Sequence, residues 1–182
     1  MTLECSNGSA LGTFDVTATD NLSGVGSLGC TFPSGSVFPF GTTLDTCRAT
    51  DLADNVGACQ FNVSVQDTKP PVIGSLAPSQ SVLWPPNHRM VPVIISPTVS
   101  DVCDSAPTCT IVGVTSNEPV NGLGDGNTDP DWVITGALSV SLRAERAGNG
   151  TGRTYRIAVL CSDFAGNGTT GTATVSVPHS AS

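Results

Sequence analysis

Along most of the chain apolar and polar residues alternate with a period of two, and the alternation is repeatedly broken by Gly, Pro, Asn and Asp. Thr13-Phe14-Asp15-Val16-Thr17-Ala18-Thr19 puts Phe14, Val16 and Ala18 on one face, the pattern of a strand half buried against a core, and Asp20-Asn21 then turns the chain. Leu28 to Phe32 reads as a second strand, with Pro33-Ser34-Gly35-Ser36 as a turn. Thr42 to Thr50 reads as a third, ending at Asp51-Leu52-Ala53-Asp54-Asn55, with Gly57 to Val65 returning as its hairpin partner. Pro70-Pro71 cannot donate to a ladder and belongs at a strand start or an edge, so Gln66 to Ile73 marks a boundary between two units, 1–68 and 69–182. In the second unit Pro70 to Ile73, Val91 to Ser100, Thr108 to Ser116, Trp132 to Ala144, Thr154 to Ser162 and Thr172 to Val177 read as strands. Tyr155, Ile157, Val159 and Cys161 share the buried face of a central one.

No window of helical length keeps a 3.6-residue apolar period without a breaker, so the expected fold class is all-β, two tandem immunoglobulin-like β-sandwiches. The 182 residues suffice for two small cores, and Asp163-Phe164-Ala165-Gly166-Asn167 mirrors Asp51 to Asn55, as divergent copies of one plan would. With 20 Gly, 13 Pro and only 12% charged residues, the surface must be built from Thr, Ser, Asn and Gly; the formal charge of −8 makes nucleic acid an unsuitable partner. No run of 18 apolar residues is present to span a membrane.

The seven cysteines form neither a CxxC pair nor a Cys/His cluster, which points to disulfides in an oxidising, extracellular compartment. Cys30 lies ten residues after Asp20 and Cys47 four before Asp51; Cys109 lies eight after Asp101 and Cys161 two before Asp163. Moving inward by two on both strands is what antiparallel pairing requires, so Cys30 is expected to join Cys47, and Cys109 to join Cys161. Cys5 is then left for Cys59, with Cys103 unpaired. A Cys47–Cys59 hairpin bridge with a small Cys103–Cys109 loop stays open as the alternative.

Phe38-Pro39-Phe40-Gly41-Thr42-Thr43, Cys47-Arg48-Ala49-Thr50-Asp51, Asp54-Asn55 and Cys59 to Val65 together resemble a hyalin repeat (HYR) domain over most of residues 3 to 68. The resemblance implies an immunoglobulin-like sandwich used in extracellular adhesion, with no catalytic residues to carry over. Asp45 departs from it, standing where an apolar residue is usual. Such repeats also open on a Pro-Pro-Val-Ile strand, which this chain supplies only at 70 to 73. The first sandwich is therefore expected to lack its opening strand, either because the sequence was cut there or because a neighbouring domain or another copy of itself supplies the strand. Leu83 to Val93, Ser116 to Gly122 and Leu142 to Arg146 resemble a bacterial Ig-like domain, which implies a secreted surface protein of bacterial type.

Among candidate chemistry, Asp125, Asn127, Asp129 and Asp131 place oxygens at alternate positions with Glu118 upstream, a ligand set suited to Ca²⁺. The competing reading is a plain surface turn, since Pro130 occupies the place where an EF-hand loop needs Gly. His88 and His179 are the only histidines, and neither lies beside a nucleophile motif, so no catalytic residue is expected. Gly148-Asn149-Gly150-Thr151-Gly152 reads as a hairpin loop rather than a phosphate cradle. Trp84 and Trp132 would stack sugars if exposed together, which would make the chain a carbohydrate-binding accessory domain with surface glycans as partners; core Trp is the alternative. Arg143, Arg146, Arg153 and Arg156 fall in one segment and suggest an electrically polar second unit.

Overall fold

The computed structural model describes residues 1–120, 122, 126 and 128–180. The fold is all-β: the strands form two immunoglobulin-like sandwiches in chain order, and no helix occurs among the described residues. One compact unit comprises Met1–Lys69 together with Val102–Ser105, the other Pro70–Asp101 and Ala106–Ser182.

In the first unit, strands β1 (Thr2–Glu4), β2 (Ser9–Gly12), β3 (Val25–Cys30), β4 (Ser36–Pro39), β5 (Gly41–Asp51) and β6 (Val56–Gln66) form a sheet ordered β1-β6-β5-β3 and a two-stranded sheet β2-β4. The opening strand expected to be missing is present. Thr2–Glu4 pairs in parallel with Ser64–Gln66, and the Met1 ammonium donates to the Asn62 carbonyl at 2.7 Å. Asn7-Gly8 makes this possible. Both residues sit at positive φ, 50° and 76°, the requirement of a tight hairpin turn, so the short β1 folds straight back into β2.

The strand expected over Thr13–Thr19 is not formed; the ladder to β4 involves Ser9–Gly12 instead. Gly12 ends that ladder where a Cβ would lie 2.5 Å from the ring of the fully buried Phe38. Beyond it the segment runs extended without a partner strand, and Phe14 packs edge-on against Phe61 with ring centroids 4.9 Å apart. Its alternation thus reflects packing on a sheet face rather than membership of a ladder. Phe38, Val63, Val65, Cys5 and Cys103 form the small core.

The second unit contains β7 (Val72–Pro78), β8 (Met90–Ser100), β9 (Thr108–Ser116), β10 (Trp132–Gly136), β11 (Ser139–Arg143), β12 (Gly152–Ser162) and β13 (Gly168–Pro178). Its sheets are ordered β10-β11-β8-β7 and β13-β12-β9. The single strand read over Trp132 to Ala144 is a hairpin, turned at Ala137-Leu138. Gly148 to Gly152 is not a hairpin loop, because β11 and β12 belong to different sheets and the segment crosses between them. Val93, Ile95, Val140, Leu142, Ile157, Val159 and Val175 fill the core.

Each unit's final hairpin turns on the same device. Asp51 accepts from the backbone N–H of Ala53 and Asn55 and from the Asn55 amide; Asp163 accepts from the Asn167 N–H at 2.8 Å and its amide at 2.9 Å. The Asn55 amide and N–H hold the Asp51 carboxyl below its ordinary value, and the Asn167 bonds do the same for Asp163 although burial works the other way. A depressed folded pKa contributes stability that is present above the unfolded value near 3.8 and lost as pH falls through the folded value. Asp163→Asn should therefore be less stable than the wild type at pH 7, and chemical denaturation at stepped pH should show the gap closing below pH 3.8.

Candidate functional site

The face that carries Ile157, Val159 and Cys161 continues at the start of β12 through Tyr155 and Arg153, so the strand's own alternation drives a guanidinium into the interior. Arg153 is fully buried, and a charge there requires partners. Three carboxylates meet it: Glu118 just after β9, Asp131 just before β10 and Glu145 just after β11. Arg153 Nη1 lies 2.5 Å from Asp131 Oδ2 and 3.4 Å from Glu145 Oε1, and Nε donates to Glu118 Oε2 at 3.3 Å. Nη2 reaches the Pro119 carbonyl at 3.3 Å.

Further hydrogen bonds hold these groups in place. The Tyr155 hydroxyl donates to the Arg143 carbonyl at 2.8 Å, while Arg143 donates through Nε to Pro130 O and through Nη1 to His88 O. The Ala147 N–H donates to Glu118 Oε2 at 2.8 Å, tying the crossover loop to the cluster. His88, at φ 61° in an irregular corner, sits at the solvent side with Nδ1 3.2 Å from Glu145 Oε2. Burial pushes Glu145 up, with His88 and Arg153 opposing and Asp131 reinforcing the shift. Burial likewise raises the Tyr155 phenol to about 12. Arg153 moves above its ordinary value: burial opposes the charge, but Tyr155 and Asp131 outweigh it.

Of the five expected calcium ligands, Asp125 and Asn127 lie outside the described residues, and Asp129 is exposed. Glu118 and Asp131 each meet Arg153 through one oxygen, while Glu118 Oε1 and Asp131 Oδ1 are buried without a hydrogen-bond partner among the described residues. Glu145 and Arg153 are the members that sequence reasoning missed; the signal was Arg153 standing two residues before Tyr155 on the buried face of a strand. Three of the four arginines read as one basic segment bond within the second unit: Arg153 and Arg143 to the cluster, and Arg146 to the Pro178 and His179 carbonyls.

The remaining expected sites resolve individually. Trp84 is 47% exposed, but Trp132 packs edge-on against Tyr155 with centroids 6.1 Å apart, so the two form no shared platform. His179 contacts the Gly148 carbonyl, and neither histidine touches a nucleophile among the described residues. Cys30 is joined to Cys47 and Cys109 to Cys161, both directly opposed across antiparallel ladders. Cys5 is joined not to Cys59 but to Cys103, 98 residues away; Val102–Ser105 is drawn into the first unit, where Asn7 N–H also donates to Val102 O. Cys59 is the free thiol, exposed on β6. The sequence held no register relation for this bridge because 102–105 is a loop, not a strand. Asp45, fully buried, accepts from Phe32 N–H through one oxygen.

Residues 3–65 match the family model of the HYR domain. No protein of curated function matches the chain. Among solved structures it is similar to Protocadherin Gamma B2 extracellular cadherin domains 1-5 (12% identity, TM-score 0.33, covering 96% of this chain and 36% of that one). It is also similar to domains 3-6 of the same protein (13%, 0.34, 96% and 44%) and to an I-band fragment from titin (13%, 0.27, 98% and 62%). The chain spans less than half the length of those cadherin fragments.

Removing one partner of a buried ion cluster leaves uncompensated charge, a loss of about 3–5 kcal/mol. Arg153→Met should lower unfolding stability of the second unit by that order, read by denaturant titration through Trp132 fluorescence, with Lys a poor substitute because it lacks the planar fork. With Glu118 and Asp131 each bonded to Arg153, Asp131→Asn should leave the difference in melting temperature between calcium and chelator as it is in the wild type; a difference lost in that variant would place the metal at this loop.

Proposed function

We propose that the chain is a non-catalytic extracellular module, a structural or adhesive unit of a surface assembly. The observation that carries this reading is the trio of disulfides. Two staple adjacent strands, and the third closes a separation of 98 residues to fix a loop onto the smaller core. Such bridges persist in oxidising compartments and compensate for small cores. The HYR match over residues 3–65 supports the same reading. So does the titratable cluster: its carboxylates are turned inward onto Arg153, with Arg143 also against Glu145, the arrangement of a structural ion network rather than of groups offered to a substrate.

The setting that goes with this reading is the surface of a bacterium, from the resemblance of 83–93, 116–122 and 142–146 to bacterial Ig-like domains, and the expected partners are neighbouring domains or further copies of the chain. β1 already covers the end of β6, so insertion of a foreign strand into a missing first position is not part of the proposal.

The test is the dependence of folding on oxidation. In the chain-entropy account a loop of about 100 residues contributes roughly 4–5 kcal/mol when closed. The paired substitution Cys5→Ser with Cys103→Ser should thus destabilise the first unit by a few kcal/mol, and full reduction should lower the melting temperature further. Protein produced in a reducing cytosol with all seven thiols free and an unchanged melting temperature would sink the extracellular assignment.

A further inference from the structure

Three sulfurs stand in one row across the larger sheet of the first unit. Cys47 on β5 lies directly opposite Cys30 on β3 and directly opposite Cys59 on β6, so the three side chains project from one face in the order 59, 47, 30. The bond joins Cys47 to Cys30, and Cys59 at the other end of the row is an exposed free thiol. Nothing walls the thiol off from the bridge. Between this face and the unpaired segment Thr13–Thr19 lies a cavity of about 230 Å³, and Cys47 and Cys59 both line it, beside Val16, Ala18, Leu28 and Ala49.

Asp45 is the next inward-facing residue on β5, and it is fully buried. Its Oδ1 accepts from the Phe32 N–H at 3.1 Å, while its Oδ2 has no hydrogen-bond partner among the described residues. A carboxylate oxygen of Asp45 and the sulfurs of Cys30 and Cys47 lie within 4.8 Å of one another. A buried acceptor without a donor costs stability, and a disulfide has no proton to give it. A thiol in the same place does.

We propose that this row is a thiol–disulfide exchange site: the bridge passes reversibly from Cys30–Cys47 to Cys47–Cys59, and the Cys30 thiol so released donates to the orphaned oxygen of Asp45. The Cys59 thiolate attacks Cys47 Sγ, the bond from Cys47 to Cys30 breaks as the new one forms, and its electron pair leaves on Cys30. The proton that Cys59 gave up to solvent is matched by one taken up at Cys30. One bridge and one thiol remain, so no oxidant or reductant is consumed. The backbone accepts the new bond. Cys47 and Cys59 turn their N–H and C=O groups to each other, and such wide antiparallel pairs hold Cα atoms about 5.5 Å apart, within the span of roughly 4.4–6.8 Å that disulfides usually cross.

The exchange unlatches β3. That strand ends the sheet order β1-β6-β5-β3, and Val25 to Gly29 are all exposed, so Cys30–Cys47 is its covalent hold. Cys47–Cys59 instead joins two strands already paired from Gly41–Val65 to Thr50–Val56. An exposed thiol on β6 thus controls whether an edge strand two positions away is tied down.

The experiment keeps the full chain folded in mildly alkaline buffer, where thiolate forms, with neither oxidant nor reductant. Samples are quenched and unfolded in acid and alkylated with N-ethylmaleimide, and the label and the bridges are mapped by peptide mass spectrometry. The expected result is one labelled thiol per chain, divided between Cys59 and Cys30, with the Cys47–Cys59 peptide appearing in step with the Cys30 label at a rate independent of protein concentration. In Asp45→Leu the ratio of Cys30 label to Cys59 label should fall about ten-fold, because the released thiol loses its acceptor. Cys30→Ser, given oxidised glutathione as the oxidant, should close Cys47 onto Cys59 and release two reduced glutathiones. Label confined to Cys59 in the wild type would overturn the exchange whether or not either variant folds. A Cys30 label whose rate rises with protein concentration would do the same, since the attacking sulfur would then belong to another molecule. So would equal label ratios in folded Asp45→Leu and wild type, or a folded Cys30→Ser in which Cys47 and Cys59 stay unjoined.

Discussion

The alternation of wide and narrow residue pairs along antiparallel ladders governs much of this molecule. On β5, the Thr31 N–H donating to Thr46 O shows that even-numbered residues face β3, so Cys47 turns its backbone to β6. Cys47 therefore stands in a narrow pair with Cys30 and in a wide pair with Cys59, although both are directly opposite it. The disulfide takes the narrow side, at a Cα–Cα distance of 3.9 Å. One backbone phase thus decides which sulfur is consumed and which stays free at the edge.

The second unit meets a different constraint at the same level. A strand that buries Ile157, Val159 and Cys161 must also bury Tyr155 and Arg153, because the period of two allows no exception at its end. The cost of the guanidinium is offset by carboxylates from three separate connections, at the ends of β9, β10 and β11. Loops that would otherwise be independent are drawn to one point, and the crossover at Ala147 is tied in through Glu118. Replacing such a network by apolar residues is often neutral for stability; what it adds here is a fixed placement for segments with few apolar anchors of their own.

The first unit has a small core and depends on covalent closure. Cys5 and Cys103 are themselves among its buried apolar groups, beside Phe38, Val63 and Val65. The disulfide therefore fixes the position of Val102–Ser105 and also fills part of the core it closes.

The all-β class, the run of long strands and the two cross-strand cysteine pairs were written in local pattern: periodicity, Gly and Pro punctuation, and cysteine offsets from the aspartates that shift by two on both strands. These are short-range properties, set within a strand or between strands of one ladder. What the tertiary structure alone decided has the opposite character. Thr13 to Thr19 alternates like a strand yet joins no ladder, since a period of two records only that one face is buried and not whether the backbone finds a partner. Cys5 finds Cys103 across 98 residues with no shared strand to impose a register. Glu118 and Asp131 looked like ligands for an external cation because their spacing with the 125–131 loop suits one. The fold brings Arg153 of β12 against both, and no local rule links residue 153 to residues 118, 131 and 145, because the contact exists only after two sheets have packed.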